Sequence, residues 1–414
     1  MTKEPKVENS GRTPASAKRW SRGGLARSLK IWSARAGLLL VSLAVGLLIG
    51  EFAVRIVVPQ NLPTTRSDIW IPKAGIGYEK APNIETMINA GEGEVQLWTD
   101  RKGYRIGPEG VDEEARRILA LGDSFLEALA VNYEETTTGR LERLLTAELG
   151  YRLRVVNTGV SGYAPNEYLF KAKQELADDK FDLVLVFIFV GNDFNGRRLE
   201  WMNPHKPSKV VFRMPRSLGH RELVDAVVFP TYRHLRARSH LMVLVKKRSG
   251  LLLARMGMTE RLIPPVFLHS EHESPHWEVM KSLCRDIVAE ASRHHTPVVF
   301  VILPADYQVN ERLGMAFAAG SGYDKGEVDL ELPNRRLREF FQTAELPYVD
   351  TTLALKEAFA SGEVIYGGMD RHFNAKGHEV VANRLEPVVV KQLNASQTPY
   401  SSPANPPAKP LPPP

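Results

Sequence analysis

Four short stretches hold the side chains of this sequence best suited to chemistry. The first, Gly122-Asp123-Ser124, follows the apolar run Ile118–Leu121 directly and ends in a serine. A serine at the carboxyl end of a parallel strand faces the crevice in which open α/β sheets hold their ligands. If a helix starts just beyond it, backbone N–H groups aim at the same spot and can hold an oxyanion. Alone, the tripeptide is a weak signal that reads more readily as a glycine turn with a serine cap. The second stretch is Asn157-Thr158-Gly159-Val160-Ser161-Gly162, whose glycines let a backbone N–H approach a substrate oxygen, or simply make a β-to-α turn. In the third, Gly191-Asn192-Asp193, Asn192 ends a continuous apolar run and offers a side-chain N–H, the alternative being an Asn-Asp turn. The fourth is Asp370-Arg371-His372-Phe373-Asn374. A serine nucleophile needs a base, and the base needs a carboxylate to fix its tautomer and stabilise the imidazolium. His372 and Asp370 could supply both, although a histidine preceding a C-terminal helix is an equally ordinary feature. His378, a second histidine nearby, falls inside the predicted helix and reads as structural.

One sheet would bring all four stretches to one rim. Apolar β runs occur at Ile118–Leu121, Leu153–Val156, Leu183–Val190, Val298–Leu303 and Tyr348–Val349. Helical patterns at 137–148, 166–178, 276–294, 334–344 and 375–392 separate them. Such alternation implies a parallel sheet with helices on both faces, and each candidate block lies at a strand's carboxyl end or in the last loop.

In order and spacing the blocks resemble the SGNH (GDSL) hydrolase superfamily over residues 116–392, the segment 194–275 excepted. The resemblance implies a flavodoxin-like three-layer α/β/α sandwich with a central parallel sheet. It implies Ser124 as nucleophile, His372 as general base and Asp370 as its partner. The oxyanion hole would be the Ser124 N–H, the Gly162 N–H and the Asn192 side chain, with Asp123 and Asp193 structural. No metal or cofactor is expected. The G-x-S-x-G elbow of α/β-hydrolases is absent around Ser124, which disfavours that fold. One departure concerns the last block, which reads D-x-H where the family has D-x-x-H; the shorter spacing looks like that of SGNH-like proteins of bacterial exopolysaccharide acetylation. On extended backbone these two Cα atoms would stand about 6.5 Å apart, so the loop must curve for the side chains to meet.

The rest of the chain concerns address. Of 414 residues, 43% are hydrophobic and 25% charged, which suits a globular protein. The net charge of +6 belongs to a tail, because residues 1–35 alone hold nine Lys or Arg against two acids. A basic face for nucleic acid is therefore not expected. Cys284, the single cysteine, rules out an internal disulfide and a thiolate zinc site. Residues 36–58 follow the basic tail, and their 23 residues make about 35 Å of helix, enough for one transmembrane anchor. Glu51 and Arg55 lie four apart and can pair on it. The preceding Lys and Arg residues predict a cytoplasmic N-terminus and a periplasmic or extracytoplasmic body, at the inner membrane of a bacterium. A cleaved signal peptide is the alternative, although no A-x-A site follows.

Residues 59–112 read as a linker and small β-rich preface, and 113–395 as the hydrolase domain. The insertion at 194–275 contains a predicted apolar and basic helix near 232–256 (Arg233, Arg236, Arg238, Lys246, Lys247, Arg248), either a cap over the sheet or a surface for membrane or anionic glycan. Residues 396–414 read as a Pro-rich disordered tail. The expected activity is an esterase acting on an acylated, foremost acetylated, glycan or on a lipid ester. Two alternatives are kept. One is an O-acetyltransferase with the same serine, which would need a membrane partner delivering the acyl donor. The other is a non-catalytic glycan-binding scaffold.

Overall fold

A computed structural model describes residues 22–63, 66, 68–194, 234–255, 263–271, 275–324 and 326–397. It divides into two units, residues 1–59 and 60–414. The first contributes the helix Arg22–Val57, whose stretch Lys30–Val57 is long and apolar enough to cross a membrane (mean hydropathy 2.3). On it the Arg55 Nε donates to Glu51 Oε1 at 2.7 Å, the expected pairing one turn apart.

The second unit holds a small two-stranded sheet and one eight-stranded sheet. Strands β1 (Trp70–Lys73) and β2 (Gly77–Lys80) form the small sheet; β3 (Glu85–Asn89), β4 (Glu94–Thr99) and β5 (Arg105–Ile106) follow. The next five strands are β6 (Arg116–Leu121), β7 (Leu153–Asn157), β8 (Leu183–Phe189), β9 (Val298–Leu303) and β10 (Tyr348–Asp350). The spatial order is β10-β9-β8-β6-β7-β5-β4-β3. Read from β7, the five parallel strands run β7-β6-β8-β9-β10, the flavodoxin-like order 2-1-3-4-5 whose ligand crevice opens where the order reverses, between β6 and β8.

Each parallel strand is buried on both faces, so its side chains alternate between two cores. Leu119, Val184, Val186 and Phe300 join one, under the helices Pro165–Asp178, Pro275–Arg293 and Leu332–Thr343. Ile118, Leu185, Phe187 and Val301 join the other, under Thr137–Leu149, Thr352–Ala360 and Ala375–Gln397. This is the expected three-layer sandwich. Burial on both faces is also why these strands were continuous apolar runs in the sequence.

The sheet differs from the all-parallel one expected. Residues 59–112, read as linker and preface, supply three antiparallel strands to the main sheet, β5 pairing with β7 through Arg105 and Asn157. Short, half-polar strands carry little apolar signal of their own, and only pairing with the preformed edge at β7 defines them. Most of the 194–275 insertion and the 396–414 tail lie outside the described residues, as does Arg233. The described part of the insertion includes the helix His240–Arg255, close to the predicted 232–256.

Candidate active site

Asp123 sets up the first block. Its Oδ1 accepts from the Phe125 N–H at 2.9 Å, capping the short helix Ser124–Glu127, which Ala128 ends in the left-handed conformation at φ 55°. Ser124 is thus the first residue of a helix, and its N–H has no acceptor within that helix. The other carboxylate oxygen, Oδ2, accepts from the Asn192 Nδ2 at 3.0 Å across the gap between β6 and β8. One buried aspartate therefore orients both the serine and the asparagine amide.

The fourth block curls back onto the first. His372 Nε2 stands 2.7 Å from Ser124 Oγ, although the residues are 248 apart in sequence. The required curvature comes from Arg371, whose φ is 62°. Arg371 is held there by its guanidinium, which grips Asp306 with Nε at 2.7 Å from Oδ2 and packs over the Phe317 ring. Asp370 consequently turns both oxygens towards its neighbour: Oδ1 accepts from the His372 backbone N–H at 3.1 Å, and Oδ2 lies 3.4 Å from His372 Nδ1. That second approach has the distance of an ion pair without the alignment of a formed hydrogen bond. Burial disfavours the imidazolium, but Asp370, with help from Asp123, more than offsets this and raises the His372 pKa above its ordinary 6.5.

Ser124, Gly162, Asn192, Asp370 and His372 line one cleft of about 380 Å³, joined by Arg371, Tyr307 and Pro264. The structure therefore brings together all five side chains and backbone groups that the sequence singled out. Gly162 has φ 85°, a conformation that L side chains rarely adopt, and it lines the cleft with the serine. Asp193 stays behind the cleft, accepting from the Phe189 N–H at 3.0 Å and from the Tyr168 hydroxyl. His378 is buried against Thr137, its Nδ1 2.9 Å from Thr137 Oγ1, and burial lowers its pKa to about 3. It takes no part in the cleft.

Sequence reasoning missed the residues that hold these groups, most of them from 59–112. Lys80 is fully buried; its Nζ donates to the Gly159 carbonyl and lies 3.8 Å from Glu127. Burial lowers its pKa to about 8. Glu127, also fully buried, accepts from the Ser161 N–H at 2.7 Å, the Ser161 hydroxyl and the Trp70 indole, tying the Ser124 helix to the glycine loop. Arg105 donates to the carbonyls of Glu127, Ala128 and Val131, closing the end of that helix. Glu92, in the β3–β4 turn, accepts from the N–H groups of Met369 and Asp370, the latter at 3.2 Å. The one sequence signal was alternation: in Gly77–Lys80, the buried Tyr78 places Lys80 on its own inward face.

The four blocks thus lie on one rim of the sheet, in the order read from the sequence. No family model and no curated protein sequence matches the chain. Among solved structures it is similar to a member of the lipolytic G-D-S-L family from Veillonella parvula, with 12% identity, TM-score 0.37, and coverage of 67% of this chain and 100% of that one. An acetyl-xylooligosaccharide esterase from Geobacillus Stearmophilus gives 12% identity, TM-score 0.36, and coverage of 67% and 94%. A two-domain esterase active on acetylated mannans gives 14%, 0.37, and coverage of 70% and 53%.

Proposed function

We propose that this chain is a serine esterase that removes acyl groups, foremost acetyl, from an envelope or exported glycan or from a lipid ester. The supporting observation is the 2.7 Å contact between Ser124 Oγ and His372 Nε2 beside an asparagine amide and a helix start. In the forward step His372 Nε2 takes the serine proton as Oγ attacks the ester carbonyl. The carbonyl oxygen becomes an oxyanion held by the Ser124 N–H, the Gly162 N–H and Asn192 Nδ2. His372 then passes its proton to the leaving alkoxide, giving the free alcohol and an acyl-serine. Water, deprotonated by the same imidazole, releases the acid and regenerates the serine. Asp370 steadies the imidazolium throughout. None of these steps requires a metal.

The apolar helix Arg22–Val57, with its basic flank, supports anchoring in the bacterial inner membrane and an extracytoplasmic cleft. An O-acetyl ester on an exported glycan is the substrate that fits this address and the short D-x-H block.

The test is release of acetate from an O-acetylated polysaccharide by the full-length chain in detergent, with Ser124→Ala alongside. Serine-dependent release supports the esterase. Acetyl transfer to an unacetylated glycan, read by mass spectrometry, would make it a transferase, and neither activity would leave a non-catalytic scaffold.

A further inference from the structure

The peptide unit joining Ser161 to Gly162 carries two groups on opposite sides. Its N–H, on Gly162, is the oxyanion donor of the proposed mechanism. Its C=O, on Ser161, accepts from the Tyr78 hydroxyl at 2.5 Å. A trans peptide is a rigid plane with N–H and C=O antiparallel, so whatever fixes the carbonyl fixes the amide. A plane next to a glycine at φ 85° is otherwise easily turned, because no Cβ restrains it.

From this geometry we infer that Tyr78 is a positioning residue of the oxyanion hole, holding the Gly162 N–H towards Ser124 through the far side of the same peptide. The inference rests on the esterase reading above. Three observations carry it. Tyr78 is 5% exposed and does not line the cleft, so it reaches a substrate only through the peptide. Its ring is wedged at 5.8 Å from that of Tyr163, the residue following Gly162. Tyr163 in turn donates from its hydroxyl to the Tyr78 carbonyl at 2.5 Å, locking β2 to the loop. The two preceding peptides of the same loop are held by other groups, the Ser161 N–H by Glu127 and the Gly159 carbonyl by Lys80, whereas the 161–162 unit is held by Tyr78.

The experiment is the concentration dependence of fluorophosphonate capture by the full-length chain, which separates the maximal rate of serine phosphonylation from probe affinity. The attack develops charge on the phosphoryl oxygen, so it reads the same hole. Tyr78→Phe should slow the maximal rate about tenfold with affinity unchanged, less than the 10²–10³ for outright loss of such a donor. Tyr104→Phe loses a comparable buried hydrogen bond, to Glu175 outside the cleft, and its maximal rate should stay within about threefold of the parent. 3-Fluorotyrosine at position 78, nearly isosteric and a stronger donor, is the second variant and should capture at least as fast as the parent. Unchanged capture by Tyr78→Phe, equal slowing by Tyr104→Phe, or slowing by the fluorinated residue would overturn the inference. Ser124→Ala runs in parallel, and capture that persists in it would instead overturn the esterase reading.

Discussion

The two halves of the main sheet divide the work around the cleft. The parallel half, β6 to β10, supplies every group of the proposed mechanism: Ser124 after β6, Gly162 after β7, Asn192 after β8 and His372 in the loop before the last helix. The antiparallel strands and the small sheet supply none of them. They hold the loops that do, with Glu92 on the histidine loop, Lys80 and Tyr78 on the glycine loop and Arg105 beneath the serine helix. Chemistry and its scaffolding thus come from different parts of the chain. Substitutions in the two halves should differ in kind as well as in size.

The largest effect belongs to the parallel half. Asp370→Asn leaves the loop its polar atoms but removes the charge that steadies the imidazolium. Turnover should fall by about 10³-fold or more, measured as kcat on an aryl acetate. The acidic limb of the pH profile should also move down, since Asp370 is what lifts the His372 pKa. A limb that stays put would assign the orienting charge elsewhere. Next in size, Asn192→Ala removes one oxyanion donor and should lower kcat by 10²- to 10³-fold with little change in KM. An effect confined to KM would place Asn192 in binding alone.

The antiparallel half should give smaller losses. Glu92→Gln keeps an acceptor but loses the charge that faces two N–H groups of the histidine loop, and kcat should drop about tenfold, in keeping with the weakening of charge-assisted hydrogen bonds. If this drop came with an unchanged pH profile and a lower melting temperature only, Glu92 would be scaffold without a positioning role. The smallest effect is in the parent itself. The base works only when neutral, so activity rises with pH as His372 loses its proton. With its pKa raised, half-maximal rate on the acidic side should lie above 6.5.

This division also explains what could be read from sequence. The parallel strands were legible because burial on both faces writes an uninterrupted apolar run, as in Leu183–Phe189. The blocks were legible because glycine, serine and asparagine follow the ends of such runs and the histidine stands just before the last helix. The antiparallel strands were not, since β5 is two residues long and is defined by its pairing with Thr99 on one side and Asn157 on the other. Lys80 and Arg105 were hidden for a different reason: charged residues read as solvated. Here the carbonyls of residues 127, 128, 131 and 159 take the place of water around them. The curl at Arg371 was required by the D-x-H spacing. Its cause, the grip on Asp306, joins residues 65 apart and left no local mark.

The measurement closest to the central claim is the mapping of a fluorophosphonate adduct by peptide mass spectrometry, on the parent chain and on His372→Ala. The adduct is predicted on Ser124 alone, formed at least a hundredfold more slowly once the imidazole 2.7 Å away is gone. An adduct on another residue, or one that forms on Ser124 just as fast without His372, would contradict it.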